Sequence, residues 1–259
     1  ERIRLRIINA ANARIFGLDF RGHRPWIIAL DGQPVEPHAP EGGRITLGPA
    51  MRADVILDCG GKPGERFQVV DDFYNNLAYR LVDLAYADAA PLRSAPPETS
   101  IKLPPNPLAE PDLKSAERHR VEFGGGMMGG MAEVTYGGKR MSAMQLMMHH
   151  RMAWALNWVV AEGHVHDPIL TLDRGKSYVL DMHNDTAWHH PIHLHGHSFR
   201  VIARDGKATR HREWQDTVLM KPRERVEIAL LADNPGNWMF HCHVLEHQAG
   251  GMMGVIRVA

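Results

Sequence analysis

The stretch Gly236-Asn-Trp-Met-Phe-His-Cys-His243 is strand-like from Trp238 onward, and it is the starting point for interpreting the whole 259-residue chain. Successive side chains of a β-strand point to opposite faces. The imidazoles of His241 and His243 therefore share one face, and the thiol of Cys242 points to the other. A strand of this kind can supply ligands to two metal sites at once.

Short strand-like stretches extend from this motif toward the amino terminus. The second half of the chain contains Ser177–Met182, Ser198–Ile202 and Val226–Leu230. The first half contains Arg4–Asn9, Trp26–Leu30, Arg44–Leu47 and Asp54–Leu57, separated by glycine-containing turns. Regularly spaced short strands with turn signals between them favour an all-β fold of sandwich or barrel type.

A segment rich in proline, alanine and serine interrupts the strand pattern at residues 96–116. This composition is typical of a linker. We therefore predict two domains, at residues 1–95 and 117–259. The second carries an insertion with a Gly/Met tract at Gly124–Met131 and a predicted short helix near Met141–Met152.

Composition excludes several functional classes. Thirty basic and thirty acidic residues cancel, so no charge asymmetry indicates a nucleic acid or an anionic membrane as partner. No apolar run approaches the ~20 residues that span a bilayer. Hydrophobic residues make up 44% of the chain and charged residues 23%, as in folded globular proteins. Two cysteines, Cys59 and Cys242, are too few for a disulfide framework.

Potential metal ligands are frequent and are concentrated in the second domain. The chain has 17 His and 14 Met residues, and fourteen of the histidines lie between His149 and His247. This concentration indicates a transition metal. One predicted site combines a thiol, two imidazoles and a thioether, the ligand set of a blue-copper centre: Cys242, His190, His247 and Met252. The opposite face collects four imidazoles, which suit copper that handles dioxygen: His193, His195, His241 and His243.

Two other interpretations explain these residues less well. Structural zinc favours repeated cysteines at short spacing, which this sequence lacks. A nucleophilic Cys–His pair would leave the other clustered histidines and Met252 without a role. The isolated pair His164 and His166 lies in a polar stretch and carries no prediction of its own.

Residues 190–199 and 236–254 resemble the two C-terminal copper motifs of multicopper oxidases, the family of laccases, bilirubin oxidases and bacterial copper-resistance oxidases. Gly250-Gly-Met-Met-Gly254 and Trp214-Gln-Asp-Thr217 extend the similarity. The first domain resembles the middle domain of that family through Arg4–Arg14, Leu30–Pro34 and Met51–Val55. The resemblance implies two cupredoxin-like Greek-key β-sandwiches, of which the first holds no copper.

The resemblance also implies a role for each ligand. His190, Cys242, His247 and Met252 would hold type 1 copper, His193 the type 2 copper, and His195, His241 and His243 the type 3 pair. A reducing substrate, Cu(I) or a phenol, would be oxidised at type 1 copper. Electrons would pass from Cys242 through His241 and His243 to the cluster, where O₂ becomes water. Asp185 and Asp216 are close enough in sequence to orient ligand histidines. A periplasmic or extracellular location is implied as well.

The sequence departs from the family in one large respect. The oxygen-reducing cluster needs two more H-x-H pairs from an N-terminal cupredoxin domain, and the first 118 residues contain no such pair. We therefore expect the C-terminal part of a longer enzyme, inactive toward oxygen without that domain as partner. The alternative is a cupredoxin module that binds copper and transfers electrons without reducing oxygen.

The methionines of the insertion form a second candidate site. Eight of the 14 lie between Met127 and Met152, and four have the spacing of one helical face: Met141, Met144, Met148 and Met152. Thioethers select Cu(I), and a Met-rich insertion at this place resembles the copper-resistance branch, where it binds Cu(I) as substrate. Packing of an apolar helix face explains the same spacing. Both interpretations stand.

Overall fold

A computed structural model describes residues 1–99, 101–127, 133–163 and 167–259. His164, His166 and residues 128–131 of the Gly/Met tract lie outside the described residues. The chain divides into two compact units, Glu1–Asn106 and Pro107–Ala259. Both are built from β-strands, which confirms the all-β fold class.

The first unit contains two antiparallel sheets, with strand orders β1-β6-β3-β4 and β5-β2-β7-β8. Strand β6 is central and pairs on both sides, and Ala53–Leu57 within it are buried. The strands are β1 (Arg2–Ile8), β2 (Phe16–Phe20), β3 (Trp26–Leu30), β4 (Gln33–His38), β5 (Arg44–Leu47), β6 (Arg52–Asp58), β7 (Arg66–Asp71) and β8 (Tyr79–Ala85), with a 3-10 turn at Glu41–Gly43.

A buried carboxylate holds the segments around β2 and β7 together. Asp71 is fully buried and accepts hydrogen bonds from Arg14 Nη2 at 2.6 Å, from the Gly17 backbone N–H at 3.0 Å and from the Phe73 backbone N–H at 3.3 Å. Burial alone would raise the pKa of the Asp71 carboxyl. The hydrogen bonds outweigh it, so the pKa lies below its ordinary value.

The second unit contains two large sheets and a small hairpin. The larger sheet has the order β12-β9-β14-β20-β16-β17, with β18 also paired to β16, and the other has the order β13-β22-β21-β15-β19. The hairpin pairs β10 with β11. The strands are β9 (Glu117–Gly125), β10 (Glu133–Tyr136), β11 (Lys139–Ser142), β12 (Trp154–Leu156), β13 (Leu170–Leu172), β14 (Ser177–Asn184), β15 (His190–Leu194), β16 (Phe199–Arg204), β17 (Lys207–Ala208), β18 (Trp214–Gln215), β19 (Thr217–Met220), β20 (Arg225–Leu231), β21 (Gly236–Cys242) and β22 (Met253–Val258).

One hydrophobic core joins the two large sheets of this unit. Phe123 and Leu180 from one sheet and Phe240 from the other are fully buried in it. Burying such a side chain contributes about 1.5–3 kcal/mol. Strand β21 lies between β22 and β15, and β15 lies between β21 and β19, so the strands with the predicted ligands lie inside the sheet. Their register places His193 opposite His241 and Ile192 opposite Cys242.

The insertion forms a helix shorter than the sequence predicted. Helix α1 spans Ala143–His150. Ser142 caps its first turn in a reciprocal pair with Gln145, and Arg151, with φ 57°, ends it in the left-handed region. The prediction that four methionines share one helical face is therefore wrong, because Met141 lies in β11 and Met152 follows the helix end.

A small core of its own supports the insertion. Leu146 of α1 is fully buried against Val134 and Val160, and the side chains of Met141 and Met152 pack on this cluster. Helix α2 spans Leu245–Ala249. Neither α1 nor α2, the two α-helices of the described ranges, has the length and apolar character that crossing a bilayer requires.

Candidate metal centre

Three donor atoms of the second unit converge. The Sγ of Cys242 lies 3.5 Å from Nδ1 of His190 and 3.7 Å from Nδ1 of His247, and these two nitrogens are 3.1 Å apart. All three atoms lie within 4.8 Å of one another, and no other three His, Cys, Asp or Glu residues in the described ranges meet this condition. The fold thus brings together residues that are up to 57 positions apart.

Neighbouring elements position these donors. His190 opens β15, Cys242 ends β21, and His247 lies in α2. The backbone N–H of Cys242 donates to the Met252 carbonyl at 3.1 Å, and the Met252 N–H donates to the His247 carbonyl at 2.9 Å. Met252 is fully buried. The loop with Met252 is therefore fastened to both Cys242 and His247.

Burial sets the protonation of the donors. It is the main reason why the pKa of His190 lies well below 6.5 and why the pKa of His247 falls to about 4. Both imidazoles are therefore neutral at neutral pH, the form that binds a metal. Burial also raises the pKa of the Cys242 thiol, whereas a bound cation deprotonates a coordinating thiol.

Four further imidazoles gather around the same two strands: His193 and His241 lie within β15 and β21, and His195 and His243 directly follow them. Ring centroids lie 4.8 Å apart for His193 and His195, 5.2 Å for His195 and His241, 5.2 Å for His241 and His243, and 5.6 Å for His193 and His243. His195 is exposed, whereas His241 is buried, and burial is the main cause that lowers the pKa of His241 to about 4. The second predicted ligand group is thus assembled around β15 and β21.

His193 is oriented by the strand beside it. Its Nδ1 lies 2.9 Å from the backbone carbonyl of Asp216 and 3.0 Å from Oγ1 of Thr217. An N–H at Nδ1 donates to the carbonyl and leaves the lone pair of Nε2 for a metal. Asp216 thus contacts a predicted ligand histidine, as its sequence position indicated, but chiefly through its backbone.

Two residues near the centre were not found from the sequence. The hydroxyl of Thr186, which is fully buried, lies 2.8 Å from Nε2 of His190. Asp185, the candidate from sequence proximity, instead pairs with Arg223. The indole of Trp154 packs on the His247 ring, with centroids 4.0 Å apart. No local sequence signal marks Thr186 or Trp154 as a neighbour of the ligand histidines.

The methionines of α1 divide into two groups. Met144 and Met148, four residues apart, are each 72% exposed, and Met147 is 45% exposed. Met141 and Met152 pack against the core of the insertion. The structure therefore leaves the helical pair Met144 and Met148 accessible and places the other two predicted ligands in a packing role.

Comparison with known proteins identifies the family. The family model described as multicopper oxidase matches residues 139–259. The multicopper oxidase MmcO of Mycobacterium tuberculosis is 31% identical, over 97% of this chain and 45% of its own length. The chain belongs to the multicopper oxidase family.

Solved structures of multicopper oxidases have the same fold. The enzyme of Pseudomonas thermotolerans superposes with a TM-score of 0.81 at 31% identity, over 100% of this chain and 55% of its own. The multicopper oxidase of Pseudomonas parafulva superposes with a TM-score of 0.75 at 33% identity, over 99% of this chain and 56% of its own. The chain spans about half the length of these multicopper oxidase relatives.

Copper is the cofactor of this family, and the residues present fit it. A thiol and two imidazoles converge without a carboxylate, and a buried thioether lies on the loop next to them. This donor set is typical of copper electron-transfer sites. It does not resemble a structural zinc site, which takes four ligands, mostly cysteines with some histidines.

Proposed function

We propose that this multicopper oxidase chain oxidises a reducing substrate at a type 1 copper held by His190, Cys242, His247 and Met252. The observation that carries the proposal is the convergence of Sγ of Cys242 with the two Nδ1 atoms within 4.8 Å. Copper held there supplies a centre that accepts and releases one electron at a time.

The protein contributes a dry, pre-arranged set of donors. Cys242 and His190 are fully buried, so the thiolate and one imidazole are shielded from water. The neutral imidazoles need not lose a proton before they bind a cation. Met252 would supply a weak thioether ligand, and its loop is held by the backbone hydrogen bonds to Cys242 and His247.

We further propose that the four imidazoles on the opposite faces supply half of an oxygen-reducing cluster. His193 would serve type 2 copper, and His195, His241 and His243 the type 3 pair. Cys242 lies between His241 and His243 in the sequence, so only a few covalent bonds would connect the two centres. An N-terminal cupredoxin domain, as partner, would supply the remaining ligands for the reduction of O₂ to water.

The domain roles follow from the same proposal. Residues 1–95 would be the middle cupredoxin-like domain without copper, residues 96–116 the linker, and residues 117–259 the copper domain. The substrate would be Cu(I) or a small phenol, and the exposed pair Met144 and Met148 supports Cu(I), because thioethers select it. We place the protein in the periplasm or outside the cell.

Visible spectroscopy of the copper-loaded chain tests the type 1 assignment. We expect an intense thiolate-to-copper absorption that Cys242→Ser abolishes. Cys59→Ser is the matched control, because Cys59 is the other cysteine and lies in the first unit. An equally blue Cys242→Ser variant would contradict the assignment.

The alternative, a copper-binding electron-transfer module, is supported by one observation. The described residues provide four clustered imidazoles for the second centre, and one of them, His195, is exposed. An oxygen electrode separates the two functions. If the four imidazoles need further ligands, the copper-loaded chain retains about one tightly held copper and shows no sustained oxygen consumption with a reductant. Addition of an N-terminal domain should then start turnover for the oxidase and have no effect on the module.

A further inference from the structure

The indole of Trp154 covers one side of the candidate copper centre. Its ring centroid lies 4.0 Å from that of His247 and 5.3 Å from that of His190. Trp154 is 9% exposed, so the large ring is itself buried. A single side chain thus contacts both imidazoles that face Cys242.

The backbone at Trp154 also holds the loop that follows His247. The N–H groups of Ala153 and Trp154 both donate to the carbonyl of Gly250, at 3.2 Å and 3.1 Å. Farther along the insertion, the N–H of Ala161 donates to the carbonyl of Gly251 at 3.2 Å. These bonds tie the segment between His247 and Met252 to β12 and its continuation.

Glycine is required where the loop meets Trp154. A Cβ on Gly250 would lie 2.8 Å from Cδ1 of the indole, and a Cβ on Gly251 would lie 2.4 Å from the Trp154 carbonyl oxygen. Gly251 also has φ +115°, which disfavours any other residue. The loop and the indole are therefore fitted to each other closely.

We propose that Trp154 is a positioning residue of the type 1 site, which fixes the His247 ring and the loop to Met252 and keeps water from the imidazoles. This inference rests on the proposed function. Ring contact on the face of His247 restricts rotation of the imidazole and keeps Nδ1 directed at Sγ of Cys242. The apolar shell of a metal site controls solvent access and through it the reduction potential.

The direction of the effect follows from solvation. Water stabilises the more highly charged, oxidised ion more than the reduced one. Removal of the indole admits water beside His247, so the potential should fall. A smaller aromatic ring at the same position would still cover the imidazole, so the reduction potential should stay close to that of the unaltered chain.

Redox titration of the blue absorption tests the proposal in Trp154→Ala and Trp154→Phe. We expect the alanine variant to lower the equilibrium constant for reduction at least tenfold, which is about 59 mV for one electron, with a shifted absorption spectrum. The equilibrium constant of the phenylalanine variant should stay within threefold of that of the unaltered chain. Trp158→Ala is the matched control: this indole lies in the same insertion but donates to Glu122 at 2.7 Å, and its loss should leave the potential unchanged.

A second variant perturbs the contact and keeps the indole. Gly250→Ala places a methyl group against Cδ1 of Trp154 and should also lower the reduction potential. This test is independent of whether Trp154→Ala folds. An unchanged potential in Gly250→Ala or Trp154→Ala, or an equal shift in Trp158→Ala, would overturn the role of Trp154. Absence of blue absorption in the unaltered chain would instead contradict the copper assignment itself.

Discussion

The hydroxyl of Thr186 lies 2.8 Å from Nε2 of His190, while Nδ1 of the same ring faces Sγ of Cys242 at 3.5 Å. The hydroxyl also accepts the backbone N–H of Trp188 at 3.1 Å and donates to Oδ1 of Asn184 at 2.8 Å. A proton on Nε2 that is donated to Thr186 leaves the Nδ1 lone pair free on the copper side. Thr186 thus selects the tautomer that the proposed site needs.

Thr186→Val should weaken copper binding while keeping the shape of the side chain. Loss of a partner that orients a metal-binding histidine typically costs about 10- to 100-fold in metal affinity. Competition with a chromophoric chelator measures the affinity. Thr186→Ser retains the hydroxyl and should bind copper like the unaltered chain. Equal affinity in the valine variant would show that the hydroxyl does not orient His190.

Met252→Leu should leave the absorption blue and raise the reduction potential. A thioether stabilises the oxidised ion, and leucine fills a similar buried volume without donating electrons. The control is Met253→Leu, because the neighbouring methionine belongs to β22 and is only partly buried. A potential that does not rise in Met252→Leu, or that rises equally in the control, would remove Met252 from the ligand set.

The double variant Met144→Leu/Met148→Leu should lose cuprous binding. Both side chains are 72% exposed on α1, so leucine removes the thioethers without disturbing a core. We expect at least a tenfold weaker competition for Cu(I) against a chelator. Met141→Leu/Met152→Leu, on the packed side, should compete normally. If both double variants bind alike, the methionines serve packing alone.

Asp71→Asn should destabilise the first unit at neutral pH and reduce its sensitivity to acid. The pKa of this carboxyl lies below its ordinary value in the folded protein. The carboxylate therefore contributes its full stabilisation above the pKa of the unfolded chain, about 3.9, and loses it as the pH falls through the pKa of the folded protein. Loss of charge-assisted hydrogen bonds costs about 1.5–3 kcal/mol at pH 7. The difference in free energy of unfolding between the variant and the unaltered chain should shrink below about pH 4.

Urea unfolding at several pH values measures this effect. Asp19→Asn is the control, since that carboxylate is 39% exposed beside Arg21 and should change stability by less than about 0.5 kcal/mol. If the free energies of unfolding of Asp71→Asn and the unaltered chain differ by the same amount down to pH 3, the pKa of the carboxyl is not lowered by folding.

Alternation along a strand made the directions of the candidate ligand side chains predictable from sequence. Neighbouring residues of β21 must face opposite ways, so the separation of Cys242 from His241 follows from local geometry alone. The all-β class followed from many short strands in the same manner. Both inferences depend on periods of two residues, which sequence displays directly.

Features that depend on distant contacts were not predictable. The length of α1 is an exception, because its limits are local: the Ser142–Gln145 cap is a sequence signal that the methionine spacing outweighed in the prediction. Trp154 reaches His247 from 93 positions away, and nothing local marks that contact. Residue type favours the carboxylate of Asp185 over the hydroxyl of Thr186 as the partner of a metal-binding histidine, so the sequence did not predict the contact of Thr186.

The pairing of β21 with β15 limits how the sequence of this chain can change in length. His193 lies opposite His241, and Ile192 opposite Cys242. One residue inserted between Gly236 and Cys242, or one deleted, would turn the Cys242 thiol toward His193 and His195 and would turn its flanking imidazoles toward His190. Natural variants of this segment should therefore differ by substitution. Insertions and deletions should accumulate in loops, where side chains need not point to a particular face of a sheet.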